Sequence, residues 1–408
     1  MKAISRRKTR ILALILAMAA VGRASVSDVE PLTIPNASLP HLAVTTDDSV
    51  VLSWVESNSD TSRLRYARFR AGTWNSPTTV AEGDDWFVNW ADFPSVVPIT
   101  DSLWAAHWLR KRAGGTYAYD VMVSTSQDDG QSWSVPFSPH DDGTPTEHGF
   151  VSLFSIDNRL AAVWLDGRNT GGGHTDHDHH AQNGAMTVRA ASFDIDHTRI
   201  MDSVIDARTC DCCQTDVAIT SSGPLAVYRD RSDENVRDIS ISRYTDESWS
   251  EPKTVANDDW IINGCPVNGP SIAASEDSVT VAWYTAPDKQ PAIRAALSHD
   301  GGESFPTVVE LPSDRPLGRV ATAHLDDARR AIIWLDQTGA ATADIQLAII
   351  DAEGSVQHQT VVASTVPTRR SGFPQLIAHA QSLVLAWTDV HRGDLRVRVK
   401  SIPLPPEA

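Results

Sequence analysis

Four cysteines fall in two short stretches, Arg208-Thr-Cys210-Asp-Cys212-Cys213-Gln214 and Ile262-Asn-Gly-Cys265-Pro-Val-Asn268-Gly-Pro270. Thiolates at this density could hold a soft metal such as copper or zinc, with His148 or His41 adding a nitrogen ligand. In an oxidising compartment the same even number would form two disulfides, and a single pair could be redox-active. The adjacent Cys212 and Cys213 project in opposite directions and bridge one another only with strain, which tips the set toward the metal. A tract from Gly171 through His174, Asp176, His177, Asp178, His179 and His180 has the composition of a metal-gathering segment or of a solvated insertion.

A second set of reactive types follows the apolar runs. Asp166-Gly-Arg168, Arg229-Asp230-Arg231 and Tyr284, next to Trp283, combine arginine, carboxylate and phenol. Arg168, Arg229 and Arg231 could clamp a carboxylate or sulfate, Asp166 or Asp230 could act as a general acid, and Tyr284 could be a nucleophile. The same charges could equally form an ion-paired rim. Trp86 and Trp260, each preceded by an aspartate, offer stacking surfaces for a sugar or ordinary packing.

The elements that must position these residues repeat along the chain. Seven segments share a β-rich run, a polar turn and an apolar run that ends in an aromatic residue. Those aromatic residues are Trp54, Trp108, Trp164, Tyr228, Trp283, Trp334 and Trp387, spaced by 54, 56, 64, 55, 51 and 53 residues. A third, alternating run follows each pair, as in Leu64 to Phe69 and Asp238 to Tyr244, and then a short fourth. Four strands at a period near 50 describe a propeller blade. The expected fold is therefore all-β, a seven-bladed propeller of four-stranded antiparallel blades forming one domain over residues 25–408. The seventh unit lacks a fourth strand of its own, and Val29 to Ile34 can supply it, which closes the ring and removes an exposed edge. In such a ring the loops bearing the cysteines, on neighbouring blades four and five, meet on one face.

The N-terminus reads as an export leader over residues 1–24: cations at Lys2 and Arg6 to Arg10, the apolar run Ile11 to Val21, then small residues to Ala24. Ser5-Arg6-Arg7-Lys8 partly matches a twin-arginine signal. The expected location is periplasmic or secreted. The formal net charge is −17, and losing the six cations of the leader, which has no acid, makes it −23. Nucleic acid and anionic membrane are poor partners for such a chain, and no later stretch is long and apolar enough to span a bilayer.

Two turns between third and fourth strands, Ser126-Gln-Asp128-Asp-Gly130-Gln-Ser132-Trp133 and Ser298-His-Asp300-Gly-Gly302-Glu-Ser304-Phe305, resemble the Asp box (BNR repeat) of bacterial sialidases. Weaker echoes end at Trp74 and Trp249. In these turns the aspartate accepts backbone donors, the glycine takes positive φ and the aromatic residue packs between sheets. The resemblance implies a six-bladed sialidase-type propeller as the alternative to seven. It also implies binding, with or without hydrolysis, of a glycan or related anionic ligand at the channel mouth, as in exo-α-sialidases, where arginines clamp a carboxylate, an Asp protonates the leaving group and a Tyr activated by a Glu attacks; a non-catalytic module whose loops meet a protein partner is the alternative. It places Asp128 and Asp300 on the opposite face. Where the sialidases carry Arg-Ile-Pro in the first blade, this chain has Ser38-Leu39-Pro40-His41.

Overall fold

The computed structural model describes residues 29–171 and 184–404. The export leader and the histidine tract expected from sequence lie outside them.

Seven antiparallel sheets follow one another in chain order. Blade one comprises Ala37–Val44, Val50–Ser57, Ser62–Arg70 and Thr78–Gly83, and blade two Ser95–Pro98, Trp104–Lys111 and Tyr119–Ser126. In blade two a single bridge between Val123 and Phe137 stands where the other blades have a fourth strand. Blade three runs from His148–Ile156 to Arg199–Asp206, blade four from Asp216–Thr220 to Lys253–Ala256, blade five from Ser271–Ser275 to Thr307–Leu311 and blade six from Pro316–His324 to Val356–Thr365. Blade seven contains Gln375–His379, Ser382–His391 and Asp394–Pro403, and Leu32–Pro35 completes it by pairing Leu32 with Val399. Inner strands of successive blades touch, as do those of the first and last, so the ring is a closed seven-bladed propeller.

The burial pattern follows a strand's place in its blade. Second strands are buried on both faces, as in Val50–Ser57, whereas the outer strand Arg199–Asp206 alternates between half-buried and exposed. The seven repeat aromatics sit on second strands, and each is no more than 5% exposed. They fill the wedges between sheets, where an indole buries 150–250 Å² of its own surface by general experience.

The turns after Tyr119–Ser126 and Ala292–Ser298 share one hydrogen-bond pattern. Ser126 Oγ donates to Asp128 Oδ1 at 2.7 Å, and Asp128 accepts the amide and hydroxyl of Ser132 at 2.8 and 2.6 Å. Ser298, Asp300 and Ser304 repeat it. Gly130 has φ 83°, and a Cβ there would meet the Tyr66 hydroxyl, which itself donates to the Gly130 carbonyl at 2.8 Å. These turns sit at the strand ends remote from Tyr119, so they occupy the face opposite the loops considered next.

Candidate functional site

The connections between blades and the turns between second and third strands share the other face, which surrounds the mouth of the ring. At this mouth three inner strands bulge in the same way. Leu39, Phe150 and Arg319 have φ of 56°, 54° and 59° at register breaks in blades one, three and six. Positive φ at a non-glycine residue costs on the order of 1–3 kcal/mol and persists only where the surroundings fix it. Here a side chain from elsewhere in the ring fixes each by accepting the bulged amide: Thr388 Oγ1 takes Leu39 N at 3.2 Å, Asp92 Oδ1 takes Phe150 N at 2.8 Å, and Asn268 Oδ1 takes Arg319 N at 2.8 Å. Gln214 does the same for an unbulged amide, accepting from Gly269 N at 2.9 Å.

Asp92, Gln214 and Asn268 occupy one structural position, just before the inner strand of blades two, four and five. Two are amides and one is an acid. The second oxygen of Asp92 lies 3.3 Å from the hydroxyl of Tyr119, and that hydroxyl also meets Glu147 Oε1 at 2.6 Å. Asp92 and Tyr119 are at most 1% exposed, and Glu147 is 9% exposed. Burial is the main reason that Asp92 is pushed up to about 7 and Glu147 to about 8, opposed in part by the Phe150 amide and then the Tyr119 hydroxyl at Asp92 and by that hydroxyl at Glu147. Gly149 makes room for the trio, because a Cβ there would stand 1.9 Å from Asp92 Oδ2 and 2.9 Å from the Tyr119 ring.

Asp92 also lines a cavity of about 130 Å³ on the ring axis, beside Phe93, Phe150, Gln214 and Phe373. His41, in the same wall, is held down to about 4 by burial. Next to Asp92, the half-buried Trp90 stacks on Phe373 with ring centroids 5.8 Å apart. The guanidinium carbons of Arg319 and the exposed Arg369 lie 4.8 and 5.8 Å from the Trp90 ring. Arg319 is buried and bonded to Ser371 Oγ at 2.6 Å, which leaves Arg369 as the cation open to solvent.

The residues expected from sequence to do chemistry have other partners. Asp166 is fully buried and chelated by Arg168 through two 2.7 Å hydrogen bonds, with Trp164 Nε1 at 2.9 Å. Burial alone would raise its pKa, but Arg168 and His148 bring it below the ordinary carboxylate value, so it holds no proton to give. Arg229 is 1% exposed, and its donors go to backbone carbonyls: Nε to Asn268 at 2.8 Å, Nη1 to Arg237 and Nη2 to Tyr284, both at 2.5 Å. Arg231 pairs with Asp211 at 3.2 Å. Asp230 accepts from Ser240 Oγ at 2.8 Å, and burial followed by the Asp206 charge raises its pKa. Tyr284 stands edge-on to Trp260 at 5.7 Å with its phenol pushed up by burial, and no carboxylate accepts its proton among the described residues. Trp86 and Trp260 are buried, Trp86 stacking on Trp108 at 5.5 Å, so the expected sugar platforms are packing residues.

The four cysteines do meet. Cys210 pairs with Cys213 and Cys212 with Cys265, with Cα separations of 5.9 and 6.3 Å. The second bridge staples the loop before blade four to the loop before blade five. His148 belongs to a different cluster: it stacks on His140 at 3.8 Å and reaches Asp142 at 3.1 Å and Asp166 at 3.7 Å. The expected nitrogen ligand is thus engaged by carboxylates instead of by thiols. Sequence reading had no signal for Asp92, Tyr119 or Glu147, which are scattered over 56 positions and meet only through the ring.

No protein-family profile and no curated protein matches this sequence. Solved structures do. A protein of unknown function from Dyadobacter fermentans is 15% identical and superimposes with a TM-score of 0.52 over 93% of this chain and 99% of its own. Polysaccharide lyase Uly1 gives a TM-score of 0.52 at 9% identity, over 92% and 100% of the two chains. The NanB sialidase of Streptococcus pneumoniae gives 0.47 at 8% identity, over 87% and 83%. At these identities the first two likenesses bear on the fold alone, the β-propeller. Among the described residues no helix is long and apolar enough to cross a membrane.

Proposed function

We propose that this protein is a periplasmic or secreted propeller that binds an acidic glycan over the mouth of its ring and cleaves it in the manner of a sialidase-like hydrolase. Asp92 is its proton donor. One observation carries the reading: Asp92 is the member of a three-residue structural set that is an acid where the others are amides, it lines the axial cavity, and burial raises its pKa to about 7. A general acid works best when its pKa is near the working pH, so this carboxyl is suited to protonate a leaving glycosidic oxygen. Tyr119, unlike Asp92, does not line the axial cavity and acts as a positioning residue, tying Asp92 to Glu147. Arg369, exposed beside Trp90, supplies the cation for a substrate carboxylate.

The test is release of fluorophore from an acidic glycoside, first a sialoside and then a uronide, by wild type, Asp92→Asn and Tyr284→Phe. The reading expects Asp92→Asn to lower kcat by about 100-fold or more, the scale of general-acid catalysis, while Tyr284→Phe and the melting temperature change little. A folded wild-type protein that cleaves neither substrate and binds neither would contradict it.

A further inference from the structure

The cysteine cluster is tighter than two separate staples require. One ligand atom each from Cys210, Cys212 and Cys265 lies within 4.8 Å of the other two, although Cys210 is bonded to Cys213 and not to either of them. Sulfurs sharing one ion at metal–sulfur bonds of about 2.3 Å stand about 4 Å apart, so Cys210 already lies near that range, while Cys212 and Cys265 must part by about 2 Å once their bridge is reduced. The two bridges also differ in access. Cys210 and Cys213 are at most 1% exposed, while Cys212 and Cys265 are half-buried at the rim.

A second feature, in a turn on the same face, points to a missing negative charge. Arg237 lies in the turn between the second and third strands of blade four and is 2% exposed. Its Nε and Nη1 make no hydrogen bond among the described residues. Burial pulls it down to about 10, and the charges acting on it include those of Asp211 and Arg231, the pair within and beside the Cys210–Cys213 loop. A buried guanidinium with free donors is costly unless an anion lies near. Three thiolates around a monovalent ion would leave two negative charges in this neighbourhood.

We propose that the cluster is a redox-gated site for copper(I), closed while its sulfurs are bridged and opened by a dithiol donor. Each bridge accepts two electrons and two protons from one dithiol, giving two protein thiols and one oxidised cyclic disulfide. A copper(I) ion then displaces the protons of Cys210, Cys212 and Cys265 and is held by their three sulfurs. Soft thiolate ligands favour copper(I) over harder divalent ions. Cys213 is released as a free thiol and does not ligate.

The full chain would be reduced with a phosphine, freed of reductant by gel filtration without oxygen, and titrated with copper(I) against a chromogenic copper(I) chelator. Wild type is expected to take one ion per chain, and the oxidised protein none. Cys212→Ser and Cys265→Ser should each weaken binding beyond the roughly 10–100-fold that loss of a supporting contact costs, whereas Cys213→Ser should retain it. Melting curves of the reduced variants separate loss of a ligand from loss of fold. Four titratable thiols with no copper uptake, equal affinity in the serine variants, or bridges that resist reduction until the chain unfolds would each overturn the proposal.

Discussion

The junction between blades two and three and the junction between blades five and six solve one structural problem with different chemistry. In each, a side chain from the loop before an earlier inner strand accepts the amide of a bulged residue, Phe150 or Arg319, and a glycine, Gly149 or Gly318, leaves room for it. At the second junction the acceptor is Asn268, whose Nδ2 also reaches the Leu317 and Pro266 carbonyls at 3.3 Å, so all its polar capacity goes into holding loops. At the first it is Asp92, which needs only one oxygen for the amide. The other oxygen faces Tyr119, and through it Glu147, in an environment that keeps protons on carboxyls. Since a neutral amide suffices at the equivalent position, the acid at 92 is not explained by the fold.

The largest expected effect tests whether the two junctions share geometry. Gly149→Ala and Gly318→Ala should each cost about 3 kcal/mol or more by denaturant unfolding, because the new Cβ would stand 1.9 Å from Asp92 Oδ2 or 2.2 Å from Asn268 Oδ1, and Gly318 adds a φ of 80°. Equal tolerance of alanine at both would break the comparison at its root.

Truncating the acceptors comes next. Asn268→Ala and Asp92→Ala leave buried donors unpaired and should each cost about 2 kcal/mol. Asp92→Asn keeps an acceptor for Phe150 and should cost under about 1 kcal/mol. If Asp92→Asn destabilised as much as Asp92→Ala, the carboxyl would be structural after all.

The pH dependence sharpens the contrast further. Unfolded carboxyls titrate near 4, whereas Asp92 and Glu147 are held at about 7 and about 8. The folded chain therefore binds more protons than the unfolded one across that window, and stability should fall as pH rises from about 4 to about 8. His148 acts in the same sense. Burial opposes its charge, but Asp142 and Asp166 raise its pKa overall, so its contribution is full below its ordinary value and is lost as pH rises through the raised one. Unfolding free energies measured from pH 4 to 9 should slope less in Asp92→Asn than in wild type, while Asn268→Asp should steepen the slope. The smallest effect belongs to Tyr119→Phe, which removes the hydrogen bond that partly lowers both acids and should move their titrations up by less than about one unit.

Sequence periodicity carried the architecture because a blade repeats a burial pattern: every second strand needs its aromatic wedge, and seven such wedges were visible, as was the N-terminal strand that completes blade seven. The meeting of the cysteines followed from the same ring. The chemistry at the mouth was far less legible. Arg229 and Asp166 read as reactive because charges after an apolar run look solvent-facing, yet Arg229 turns inward to three carbonyls and Asp166 is chelated by the arginine two residues along. Asp92, Tyr119 and Glu147 each resemble ordinary residues in their own segments, and only the bulge at Phe150 and the gap at Gly149 bring them together. His148 looked like a spare ligand because no spacing rule shows that the connection leading into it folds His140 and Asp142 back onto its ring, or that Asp166 reaches it from the end of the next strand.

The most direct test of this account is the titration of the Asp92 carboxyl itself, followed by carbon-13 NMR of the labelled side chain and assigned by its absence in Asp92→Asn. The account predicts a midpoint near 7, as the burial behind Phe150 and Tyr119 requires. A carboxyl already ionised by about pH 5, as an ordinary aspartate would be, would contradict it.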